Sequence, residues 1–130
     1  MSYQARAGAV LYAKDVNRIR AFYEEVLAFE VAHVERDHVV LESPGFQLVI
    51  LAVPVRIAAS IEITAPPSRR EDTAVKLVFF VPSIPSTRAA AARLGGELDP
   101  PAREWRFQGQ VVCDGHDPEG NVIQFREIAV

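Results

Sequence analysis

Three histidines, one cysteine and a short acidic cluster are the groups in this 130-residue chain most suited to hold a metal or move a proton. His116 stands in the run Asp114-Gly115-His116-Asp117, where a carboxylate on each side could complete a ligand set. The same run also reads as a solvated loop end before a turn. His33 and His38 flank a hairpin turn near Arg36-Asp37, and their odd spacing places them on opposite faces of the strand pair. Cys113 has no partner for an internal disulfide and suits a reducing compartment. No nucleophile triad, phosphate-cradling glycine loop or paired-carboxylate acid–base site stands in the sequence. Any chemistry must come from side chains that the strands gather.

Composition bounds the class. Apolar residues make up 49% and charged residues 24%, the balance of a globular domain able to bury a real core. A net charge of −3 and scattered basic residues exclude a nucleic-acid footprint, and Arg69-Arg70 is followed at once by Glu71-Asp72. The longest apolar runs, "LVILAV" and "LVFFV", fall far short of the roughly 20 residues a membrane helix needs. The N-terminal stretch lacks the charged and apolar parts of a secretion signal, so the expected location is the cytoplasm.

The elements follow from periodicity. "AGAVLYA" reads as a strand, and "DVNRIRAFYEEVLAF" then takes helical spacing with Val16, Ile19, Tyr23, Val26 and Leu27 on one face and Asp15 as its cap. "VKLVFFVP" reads as a buried strand and "SIPSTRAAAARLGGEL" as a helix, capped by Ser83, tolerant of Pro85 in its first turn and ended by Gly95-Gly96. In the first half "FEVAHVER", "HVVLES" and "FQLVILAV" follow as strands. In the second, "GELDPPAREWRF", "QVVCDGH" and "NVIQFREI" follow, the last two joined by the type I turn Asp117-Pro118-Glu119-Gly120. The stretch Val55–Ile63 reads equally as a short helix or an edge segment.

The halves superimpose at an offset of 68 residues: Val10 meets Val78, Asp15 meets Ser83, Val16 meets Ile84 and Arg20 meets Arg88. The organisation is thus one module over 1–65, a linker over 66–74 and a second module over 75–130, each a strand, a helix and three strands.

A duplicated βαβββ unit that closes on "DPEGN" and a strand resembles the vicinal oxygen chelate superfamily, which takes in glyoxalase I, extradiol dioxygenases, fosfomycin-resistance enzymes and bleomycin-binding proteins. The match is carried by "AVLYAKDVNRIRAFYEEVLAFEV", "LVFFVPSIPSTRAAAARLGGEL" and "DPEGNVIQF" and covers nearly the whole chain. Ala28 stands where the family commonly has the glycine that ends the first helix. The resemblance implies an α+β fold in which tandem βαβββ modules form a curved mixed sheet around a cup-shaped, apolar-walled cavity, with the helices on the convex face. It also implies a homodimer and, in many relatives, a divalent metal held by four side chains in the cup.

The family's four ligand positions fall here on Gly8, Val49 (within about one residue), Lys76 and Gln124. Glycine and valine offer no donor atom, a lysine ammonium repels a cation, and one neutral amide oxygen does not hold a transition metal. The expectation is therefore no metal and no cofactor, which sets aside the metal-dependent glyoxalase, dioxygenase and fosfomycin chemistries.

In the family's register the cup is lined by Gly8, Val10 and Tyr12; by Gln47, Val49 and Leu51; by Lys76, Val78 and Phe80; and by Val122, Gln124 and Arg126. That set has apolar walls and a few polar groups, as small-ligand sites do. The ligand contacts expected from it are Tyr12, Gln47, Val49, Lys76, Val78, Phe80, Trp105, Gln124 and Arg126. Lys76, Gln124 and Arg126 suit a carboxylate, phosphate or enol-like oxygen. The alternative leaves Lys76 in solvent and Arg126 paired with Glu127. Trp105 either stacks on a flat ligand or packs against a partner subunit. The leading function is metal-free binding of a small aromatic or oxyanion-bearing molecule, including drug sequestration. The alternatives are a lyase, isomerase or dioxygenase-type enzyme using Tyr12 or His116 for proton transfer, and a non-catalytic interaction module.

Overall fold

The computed structural model describes residues 4–128. The chain divides into two compact units, Met1–Ile63 and Thr64–Val130. Each is α+β, with a curved mixed sheet and a helix against one face.

The first unit runs β1 (Ala7–Ala13), α1 (Val16–Leu27), β2 (Glu30–Val34), β3 (His38–Ser43), β4 (Phe46–Ala52) and α2 (Val55–Ala58). Its sheet order is β1-β4-β3-β2, with β1 parallel to β4 and the other pairs antiparallel. Alternation decides the faces. Val39 and Leu41 of β3 and Leu48 and Ile50 of β4 are buried, as are Ile19, Phe22, Tyr23 and Val26 of α1, which packs on those strands. Burying a side chain of this size contributes about 1.5–3 kcal/mol, so this layer dominates the unit's stability. The stretch after Pro54 resolves as the short α2, with no strand behind it.

Both helix starts form as the sequence predicts. The Asp15 carboxylate accepts from the Arg18 amide at 3.1 Å, and Ser83 Oγ accepts from the Ser86 amide at 3.2 Å. The end of α1 is less favourable: Ala28 sits at φ 57°, ψ 33°, the left-handed region where a Cβ is strained. Ala28→Gly is expected to raise stability by about 1 kcal/mol, read as a shift in the urea midpoint at constant slope. A destabilised variant would mean that the strain is relieved elsewhere.

The second unit runs β5 (Leu77–Phe80), α3 (Ile84–Arg93), β6 (Glu97–Leu98), β7 (Trp105–Phe107), β8 (Gln110–His116) and β9 (Val122–Ile128). The order is β5-β9-β8-β6, with β5 parallel to β9 and β7 also paired to β8. Ile123, Phe125 and Cys113 are buried on one face, and Ile84 and Ala91 of α3 are buried likewise. "GELDPPAREWRF" is not one strand. It breaks into β6, a 3-10 turn at Pro101–Arg103 and β7. Pro100 and Pro101 have no amide to donate to a ladder, so β8 is paired in two separate pieces.

The histidine pair departs from expectation. His33 and His38 share a face, with ring centroids 6.0 Å apart. The register slips between Val31 and His33: Val31 pairs with Leu41, but His33 pairs with Val40. One extra residue in a strand turns every later side chain over, so the odd spacing no longer separates the rings. Each ring binds its own neighbour, His33 to Glu35 and His38 to Asp37, both at 2.8 Å. The bond from His38 holds the exposed Asp37 carboxyl below its usual range.

No helix among the described residues is long and apolar enough to cross a membrane.

Candidate functional site

The turn after β8 is built around Asp117, which is fully buried. Its Oδ1 accepts from the amides of Glu119 at 2.9 Å and Asn121 at 3.1 Å, and both carboxylate oxygens accept from Asn121 Nδ2. His116 is only 3% exposed, and its Nδ1–H donates to the Asp117 carbonyl at 2.9 Å. The Asp114–Asp117 run is therefore not a solvated loop end; its last two residues are packed inside. A second segment rests on this turn. The Arg70 amide donates to the Gly120 carbonyl at 2.8 Å, and Arg70 Nε donates to the Glu119 carbonyl at 3.3 Å.

The turn also sets the register of β8 and β9. His116 faces Val122, so Asp114 faces Gln124 and Val112 faces Arg126, while Gln124 faces Val78 and Arg126 faces Phe80 on β5. Across β8, Trp105 of β7 faces Val112, and Phe107 faces Gln110. These side chains share the face opposite α3. Much apolar surface lies open there: Phe80 is 61% exposed, Phe107 45% and Trp105 42%.

A continuous polar row crosses this face. Lys76 Nζ donates to Asp114 Oδ2 at 2.9 Å, Gln124 Nε2 donates to Asp114 Oδ1 at 3.2 Å, and Arg126 Nε donates to Gln124 Oε1 at 2.8 Å. The Arg126 guanidinium also lies over Phe107 at 5.0 Å and Phe80 at 6.0 Å, within cation–π range. Lys76 thus pairs with Asp114 across the sheet. Arg126 does not pair with Glu127, whose carboxylate instead accepts from the Ile84 amide at the start of α3.

In the first unit the corresponding face carries Val10 and Tyr12, each 58% exposed. Val10 faces Val49, Tyr12 faces Leu51, and Gly8 faces Gln47. The match with the second unit is close: Val10 faces Val49 as Val78 faces Gln124, which gives Val49 and Gln124 equivalent places in their sheets. Gln47 Nε2 donates to Glu42 at 3.1 Å.

These residues do not fit a divalent metal. Lys76 is a cation already paired to Asp114. The single oxygen Gln124 could lend is taken by a guanidinium. A side chain at position 8 would have its Cβ 2.7 Å from the Gln47 carbonyl oxygen, so even an imidazole there would need the backbone to move. Among the described residues no three histidine, cysteine, aspartate or glutamate side chains gather as a metal cluster.

On the helix side, Cys113 is buried with its Sγ 3.4 Å from the Asp99 carbonyl. Burial pushes its thiol up, and the neighbouring Arg88 only partly offsets this. Arg88 is held by Glu104 and by the Asp99 carbonyl. These groups tie α3 to β8 and serve the core.

Sequence reasoning missed Asp114 as the acceptor at the centre of the row. The signal was present: a turn that sets His116 opposite Val122 sets Asp114 opposite Gln124 two residues further along.

The chain belongs to the glyoxalase-like domain family, whose model matches residues 8–125, and so to the vicinal oxygen chelate superfamily. Among solved structures it is similar to a glyoxalase/bleomycin resistance protein/dioxygenase family enzyme from Burkholderia phytofirmans PsJN, at 16% identity and a TM-score of 0.69 over 96% of this chain and 99% of that one. It is also similar to a glyoxalase-related enzyme from Fulvimarina pelagi, at 18% identity and a TM-score of 0.63 over 95% and 88% of the two chains. A bleomycin resistance determinant encoded on the transposon Tn5 matches at 14% identity and a TM-score of 0.58, covering 98% of this chain and 100% of that one. At these identities the likeness is one of fold. No curated protein matches the chain.

Proposed function

We propose that this protein binds a flat small organic molecule without a metal, on the open face of its second sheet. The observation that carries the reading is the juxtaposition of Phe80, Trp105 and Phe107, all substantially exposed, with the Arg126 guanidinium between two of the rings. Exposed aromatics grouped around a few fixed polar atoms favour a planar ligand, and Arg126 favours one that bears an oxyanion. Gln124 keeps Arg126 in place, and Val78 extends the apolar surface. In the first unit Tyr12, Gln47 and Val49 offer a smaller face of the same kind.

Trp105 is the sole tryptophan of the chain, so its fluorescence reports directly on this face. Titration with planar aromatic carboxylates is expected to quench it. Trp105→Ala, followed by calorimetry, is expected to weaken binding about tenfold, since stacking of this kind contributes about 0.5–1.5 kcal/mol beyond area burial. Binding that disappears on dialysis against a chelator would sink the metal-free reading.

The same exposure supports a second reading, in which Trp105 and Phe107 are covered by another copy of the chain. Light scattering separates the two. If Trp105→Ala halves the mass in solution without changing ligand affinity, the face is a subunit contact.

A further inference from the structure

Beyond Lys76 the second unit opens into a cleft of about 380 Å³, away from the aromatic rings. Four cations line it, Arg69, Arg70, Lys76 and Arg103, against three carboxylates, Glu71, Asp99 and Asp114. The balance is 4 − 3, one positive charge in excess, in a chain whose net charge is −3.

The pairing inside the cleft matters more than the count. Arg69 Nη2 meets Asp99 at 2.7 Å and Lys76 Nζ meets Asp114 at 2.9 Å, so two of the acids are committed. Arg70 gives only its Nε to a backbone carbonyl. Arg103 projects from the exposed 3-10 turn, and its guanidinium has no hydrogen bond or ion pair among the described residues. Two guanidiniums with free forks, set against Glu71 as the one remaining carboxylate of the lining, suit one planar or tetrahedral group bearing negative charge. The concavity concentrates their field despite the acidic character of the whole chain.

We propose that this cleft is a binding site for a small molecule carrying a multiply charged oxyanion, either a phosphate ester or a polycarboxylate. Arg103 and Arg70 grip the anion, while Arg69 and Lys76 neutralise Asp99 and Asp114, which would otherwise repel it. The site stands on its own residues and goes beyond the aromatic face, with which it shares only the Lys76–Asp114 pair.

The test is calorimetric titration of the full chain with pyrophosphate and, separately, with citrate. Saturable binding of either is expected, falling as salt shortens the Debye length from about 10 Å at 0.1 M to about 3 Å at 1 M. Arg103→Ala, an exposed change that touches no core, is expected to weaken it about tenfold, the loss of one charge-assisted contact. Arg70→Ala should act in the same direction, while quenching of Trp105 by aromatic ligands is unaffected by Arg103→Ala. Preference for pyrophosphate assigns the phosphate class, and preference for citrate the polycarboxylate class. Absence of saturable binding to both anions, or binding indifferent to both arginine variants, overturns the proposal whatever the aromatic face does.

Discussion

Gly120→Ala is expected to destabilise the second unit by about 4 kcal/mol, one of the largest losses a single methyl group can cause. Two effects combine. Gly120 has φ 85°, where any Cβ is strained, and the added carbon would lie 2.0 Å from the Ser68 carbonyl oxygen. That atom belongs to backbone, so it cannot rotate aside, and the segment carrying Arg69 and Arg70 would have to lift from the turn. Gly109→Ala supplies the control. Gly109 has φ 73° but nothing within 4 Å of the new carbon, so only the conformational cost of about 1 kcal/mol remains. Urea unfolding of the two variants separates the terms. Equal losses would mean that the close approach at Ser68 does not constrain the fold.

Gln124→Glu tests the polar row and the metal argument together. Gln124 is 8% exposed, and its amide nitrogen faces the Asp114 carboxylate at 3.2 Å. The substitution exchanges that donor for a second anion, and the bond with Arg126 offsets only part of the repulsion. A loss of about 2 kcal/mol is expected at pH 7. Urea midpoints of the two proteins at pH 7 measure this. The variant is also expected to bind neither zinc nor nickel tightly, because the Lys76 ammonium stays beside it on the same Asp114 carboxylate. Micromolar affinity for either ion by calorimetry would refute the exclusion.

Much of the framework was legible in the amino-acid string because its causes are local. Asp15 and Ser83 start helices by bonding amides three residues on, and Asp117 shapes a turn from atoms within four residues. The repeat was legible as well, since both halves place their strands by the same alternation. Failures came where one residue changes a non-local outcome. Slippage near Ala32 reversed the histidines, and the consecutive prolines at 100 and 101 divided a strand. The candidate site was legible in part. Gln124 and Arg126 could be assigned to a common face by period, but their partners depended on a register that periodicity leaves open. The cleft was beyond reach, because its cations come from residues 69–76 and 103 and meet Asp99 and Asp114 only after folding.

The Lys76–Asp114 pair has one more consequence. Because the ammonium already holds an internal carboxylate, drawing it towards an incoming anion would strip Asp114 of its cation. The attraction in the cleft must therefore come from the guanidiniums of Arg70 and Arg103, which give an uncharged molecule no comparable gain.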